Sequence, residues 1–354
     1  MKRIALTILA AWGCAAPRAP APRPAPAPVT VEQVSHTSAL LQAVSVVNDS
    51  VVWVSGHAGT YVRTTDGGRT WIAAVMPGQD SLQFRDVHAV SGDTAWLLAA
   101  GPGERSRIYR TDDGGRTWQL QFLNRDSSAF FDCFAFWDAR RGVAVSDAVN
   151  GRLVIIRTED GGEHWERVSD AGVPPALSGE GAFAASGTCV AAQGTRNAWI
   201  GTGAEGGARV YHSEDAGSTW SVVTTPVASG PATGIASVVF RDARRGLALG
   251  GPVANAEART ANVARTLDGG RTWTSATSPT FPGAVYGAAL VPGLDATVVA
   301  AGPKGLDVST DDGASWTPVL RDAFWAVDFA SPRAGWAVGP RGSIVKISLA
   351  GGAP

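Results

Sequence analysis

The chain has 354 residues, 45% of them hydrophobic, enough for one large domain or two ordinary ones. Lys and Arg total 30 against 31 Asp and Glu, so there is no basic field to attract a nucleic acid, and that partner is not expected. Forty-three glycines, only 17% charged residues and no helical apolar periodicity after the N-terminus point to many short strands joined by turns.

The first segment, MKRIALTILAAWGC, carries Lys2 and Arg3, an apolar run over Ile4–Trp12 and a closing Gly13-Cys14. This is a secretory signal pattern over residues 1–14, too short to span a bilayer as a helix. Cys14 after a small residue resembles the lipid-attachment site of bacterial lipoproteins, with Ala11 and Trp12 departing from its usual Leu and small residue. The expectation is an exported protein, periplasmic or anchored at the outer membrane, that touches a membrane only through a lipid on Cys14. Residues 15–28 are a Pro/Ala-rich linker unable to pack a core. Residues 349–354 are expected to be a disordered tail.

From residue 29 onward a nonapeptide recurs. RTTDGGRTW (63–71) returns as RTDDGGRTW (110–118), RTEDGGEHW (157–165), HSEDAGSTW (212–220), RTLDGGRTW (265–273) and VSTDDGASW (308–316). Six copies at roughly even spacing signal repeated architecture rather than a single active site. Each unit reads as four strands. In the second, 84–90 is the inner strand, 94–100 and 106–112 follow, and 118–124 is outermost. Inner strands also read at 41–47, 131–137, 188–194, 235–241, 285–291 and 324–330, which makes seven units for six motifs. The last unit stops after three strands, and VTVEQVS (29–35) resembles an outer strand. The expected fold is an all-β, seven-bladed β-propeller of four-stranded antiparallel blades over residues 29–348, closed by the N-terminal strand completing the last blade.

The pattern Ser/Thr-x-Asp-x-Gly-x-Thr/Ser-Trp resembles the Asp-box, or BNR repeat, of sialidases and other propellers. Each copy supplies a carboxylate that accepts turn N–H groups (Asp66, Asp113, Asp160, Asp215, Asp268, Asp311). Each adds a Gly for positive φ and a Trp to bury between blades (Trp71, Trp118, Trp165, Trp220, Trp273, Trp316). These twelve residues are read as structural.

Function is sought on the opposite face, at the mouth of the central channel. The residues entering the inner strands there form a mostly polar ring: Gln42, Arg85, Asp132, Thr188, Ala236, Tyr286 and Trp325. Asp147, Arg152, Glu180, Arg209 and Arg321 are placed on loops of the same face. The candidate binding set is Arg85, Asp132, Arg152, Arg209, Tyr286 and Trp325. Cys133 and Cys189 occupy equivalent positions in neighbouring blades. Ring symmetry aims equivalent side chains in one rotational sense, so two buried free thiols are expected rather than a bridge.

The whole repeat, with GWAVG (335–339) and two DARRG turns (138–142, 242–246), resembles the photosystem II stability/assembly factor family of propellers. That resemblance implies a non-catalytic envelope protein, a monomer without cofactor or metal, that binds a partner polypeptide. The alternative is a glycoside hydrolase of sialidase or xyloglucanase type, using Asp132 with Asp147 or Glu180, or Tyr286; a glycan would then be the ligand. No Arg-Ile-Pro element of a sialidase is present. A third reading, a redox enzyme on a propeller scaffold, rests on the cysteines beside the mouth.

Overall fold

The computed structural model describes residues 27–350. The signal pattern, Cys14, nearly all of the linker and the last four residues lie outside the described residues. Seven four-stranded antiparallel sheets form the blades. Val29–Gln33 pairs antiparallel with Ile344–Ser348 (Val29↔Ser348 through Gln33↔Ile344) and so supplies the fourth strand of the seventh blade. The ring is closed by its own first strand, which gives the seventh blade the same four strands as the other six.

Inner and second strands are buried on both faces between neighbouring blades, which explains continuous apolar runs such as Ala95–Ala99 and Val52–Gly56. Outer strands such as Ile72–Val75 face solvent and shorten to two residues at Glu166–Arg167 and Thr274–Ser275. Seven apolar clusters fill the seven blade interfaces. Trp71 lies between blades seven and one beside Trp336, and Trp220 lies between blades three and four beside Tyr211. Second-strand tryptophans reinforce the same seams: Trp53, Trp96 and Trp199 donate from Nε1 to carbonyls of a following blade at 2.8–2.9 Å.

The six nonapeptides adopt one geometry. In the second blade Thr111 Oγ1 donates to Asp113 Oδ1 (2.9 Å) and accepts from Gly115 N (2.9 Å), while Thr117 N and Oγ1 donate to the two Asp113 oxygens (2.9 and 2.7 Å). Both residues after the Asp need positive φ. The second is always Gly; the first is Gly four times, but Ala216 (φ 57°) and Asp312 (φ 53°) also hold it. In the third blade His164 Nδ1 stands where the others have a hydroxyl, 2.7 Å from Asp160.

The cysteine expectation is corrected: Cys133 and Cys189 form a disulfide, with Cα atoms 6.1 Å apart. Symmetry holds for Cys133, which points to the next blade as Asp86 and Ser237 do from the same column, each accepting a backbone N–H there. It fails for Cys189. Regular pairing in that blade begins only at Val190, and the irregular segment before it lets Cys189 turn back toward blade three.

Candidate functional site

Inner strands carry a β-bulge at their mouth ends in blades one, two, three and five. The register slips between Leu41 and Ala43, Phe84 and Asp86, Phe131 and Cys133, and Ile235 and Ser237. The extra residues are Gln42, Arg85, Asp132 and Ala236, four members of the ring read from the sequence. A bulge re-aims its side chain, which brings these toward the channel axis. Asp147 is likewise the extra residue between Ser146 and Ala148.

The mouth these residues surround is filled by the chain itself. The loop between blades three and four folds inward, and Ala182–Gly187 crosses the ring as a strap without regular strand pairing. Gln42 Nε2 donates to Ala184 O (3.0 Å), and Arg85 Nη1 reaches the same oxygen (3.4 Å). Ala182 N donates to Asp147 Oδ1 (3.1 Å). Ser186 Oγ donates to Tyr286 O (2.7 Å). Phe183 and Ala185 pack with Ala236, Ala284, Tyr286 and Trp325 in an eighth apolar cluster, where Tyr286 and Trp325 stack at 4.5 Å.

Electrostatics follow from this burial. Asp132 is 2% exposed; desolvation, and then the neighbouring Asp147 carboxyl, push it well above the usual carboxylate range, against the pull of Arg85. Burial raises Asp147 to about 6. The two carboxyls are neighbours, and the Asp147 charge adds to the desolvation that favours the protonated form of Asp132. Glu180 is 2% exposed and ion-paired with Arg209, and it also accepts from Thr202 Oγ1 (2.6 Å) and Tyr211 Oη (3.1 Å).

Of the predicted residues, Arg85, Asp132, Asp147, Tyr286 and Trp325 converge on the strap. Arg152, Arg209 and Asp147, expected on loops, lie within strands (Arg152–Thr158, Gly207–Ser213, Gly142–Val149). Arg152 and Arg209 donate into the structure, to Val173 O and to Glu180. Arg321 pairs with Asp307 at 3.1 Å, away from the strap. Missed from the sequence was the strap itself, whose signal was the small-residue run Gly181-Ala-Phe-Ala-Ala-Ser-Gly187 inside a long loop. Beside the strap a cleft of about 840 Å³ stays open, lined among others by Asp147, Ser178, Phe183, Glu205 and Pro231. A smaller hollow of about 180 Å³ lies over Gln83, Arg85, Arg105 and Phe130.

Residues 109–120 match the family model for the BNR/Asp-box repeat. No curated protein matches the sequence significantly. A solved structure described as YCF48 bound to D1 peptide is similar with a TM-score of 0.61 and 18% identity, over 92% of this chain and 99% of that one. YCF48 from Cyanidioschyzon merolae gives 0.64 and 18%, over 90% and 98%. The WD40 β-propeller domain of Doa1 gives 0.58 and 12%, over 90% and 97%. The chain is a seven-bladed β-propeller built on BNR/Asp-box repeats, similar in fold to YCF48.

Proposed function

We propose that this is an exported, non-catalytic propeller that binds a partner polypeptide of the cell envelope on its channel-mouth face, as an assembly or stability factor does. The observation that carries the reading is the state of the mouth. Its carboxyls are spoken for or shut in: Glu180 is paired with Arg209, Asp147 accepts from Ala182, and Asp132 is buried. Two-carboxylate glycoside hydrolysis needs an acid and a base or nucleophile roughly 5–10 Å apart with a sugar between them. Asp132 and Asp147 are instead neighbouring acids, and a strap held by Asp147 fills the sugar's place.

Fold likeness to a propeller described as bound to a peptide supports a polypeptide ligand. The signal pattern over residues 1–14, the linker over 15–28 and the Cys133–Cys189 bridge support export, since such bridges persist in oxidising compartments. A photo-crosslinking amino acid at Ser178 or Glu205, on the open cleft, tests the reading against one at Arg69 on the opposite face. Capture of the same polypeptide from the mouth positions alone is the expected result. Turnover of a chromogenic glycoside, abolished in Asp132→Asn, would overturn it.

A further inference from the structure

The strap is held by an unusual division of labour. Ring side chains read its main chain: Gln42 and Arg85 at one carbonyl, Asp147 at one amide. Of its own side chains, Ser186 donates to Tyr286 O and Phe183 packs in the apolar cluster, and the rest are alanines. Ala182, Ala184, Ala185 and Ser186 are 9, 7, 6 and 3% exposed. A Cβ on Gly181 would stand 2.0 Å from Asp147 Oδ1, and one on Gly187 would stand 2.1 Å from Asp86 Oδ1. The recognising groups sit on the rigid inner ring and on a bulge, whereas the strap forms no ladder of its own. Asp132 Oδ2 is buried and has no hydrogen-bond partner. The open cleft runs along Gly179–Phe183 and gives a second chain a way to the mouth.

Contacts to main chain are indifferent to which chain supplies it. We infer that the channel mouth is a backbone-reading slot for an extended Gly/Ala/Ser-rich polypeptide segment, filled in this chain by its own Ala182–Gly187 and open to a partner's segment when that strap is displaced. The inference rests on the proposed polypeptide-binding function and names the segment that function would take. Gln42 and Arg85 donate to a carbonyl of the incoming segment, Asp147 accepts from one of its amides, and the slot rejects bulk. Anchoring at both ends, through Glu180–Arg209 before the strap and the disulfide after it, gives the cis segment a high effective concentration. An external segment therefore competes poorly until the strap is loosened.

The test uses a fluorescein-labelled peptide, Gly-Ala-Phe-Ala-Ala-Ser-Gly, and a second peptide with Trp at its fourth position. Two proteins with a loosened strap receive them: an Ala184→Trp variant, and a chain carrying a protease site inserted between Ser178 and Gly179 that is cut after folding. Cutting the folded chain keeps the test valid should Ala184→Trp fail to fold. The first peptide is expected to bind a loosened protein saturably. The Trp peptide is expected to bind roughly ten- to a hundred-fold more weakly, the range that overpacking a tight site costs. The uncut parent chain is expected to bind more weakly than the cut one. Equal binding of both peptides, or of neither to a cut chain with native circular dichroism, overturns the slot. If crosslinking through Ser178 still captures a polypeptide in that case, the slot falls while the protein-binding reading stands. If the mouth face captures nothing, both fall.

Discussion

On the Asp-box face, carboxylates sit nearly in water and are held far below their ordinary range. The Thr70 hydroxyl and amide draw Asp66 down to about 2, the Thr117 amide and hydroxyl do so for Asp113, and the Thr272 hydroxyl and amide for Asp268. On the mouth face, Asp132 and Asp147 are pushed the other way by burial, Asp147 to about 6 and Asp132 well above the usual carboxylate range. The same residue type is thus a turn clasp at one end of the ring and a desolvated acid at the other. A carboxylate given several local donors costs the fold nothing and recurs in six copies. A carboxyl buried with too few donors must retain a proton, and the structure keeps such groups where a segment of main chain is held.

The sharpest way to break the contrast is at Glu180. Glu180→Gln leaves Arg209 buried at the mouth without a counter-charge and is expected to cost about 3–5 kcal/mol in chemical denaturation. A loss like that of an exposed ion pair, near zero, would show the mouth to be wetter than its burial implies. Next comes the disulfide, which closes a separation of 56 residues. Loop-closure entropy makes Cys133→Ser with Cys189→Ser cost about 2–4 kcal/mol, read as a lower denaturation midpoint with a steeper slope, since the unfolded chain loses its cross-link.

The pH dependence sharpens the contrast further. Asp147 is raised in the folded state, so the protonated form is favoured by folding. Its contribution is present below the unfolded value and is lost as pH rises from about 4 to about 6. Buried His88, lowered to about 4, works in the opposite direction over the same window. The quantity to measure is therefore the stability of wild type minus that of Asp147→Asn. It should fall by roughly 2–3 kcal/mol between pH 4 and pH 6. A flat difference would remove the acid pair from the account. The Asp-box carboxylates, with folded values near 2, lose their contribution only as pH falls below about 4. The smallest effect is expected from Asp113→Asn: a slight drop in melting temperature, with amide protection at Ala182 and Ala184 unchanged.

Architecture was readable because it is written many times. Six nonapeptides, seven inner strands and the likeness of residues 29–35 to an outer strand led to the closed seven-bladed ring. The mouth ring was half legible. Counting positions from the repeat placed Gln42, Arg85 and Asp132 together, since bulges occur at matching positions in several blades. Burial of Asp132 and Asp147 was not legible, because it is imposed by a loop that belongs to no repeat. Cys189 misled for the same reason: it stands at the junction of that loop with a short strand, where repeat symmetry no longer governs direction.

By itself the amino-acid sequence determined whatever depends on local patterns: strand and turn positions, positive-φ glycines, the Asp-box carboxylates and the number of blades. Hydrogen bonds within nine residues and apolar alternation within five are set by neighbours along the chain. Tertiary structure alone decided the closed mouth, the acid pair and the bridge. Gln42 meets Ala184 and Cys133 meets Cys189 across blades, while Asp132 and Asp147, on adjacent strands of one blade, are closed over only by the strap that crosses the ring.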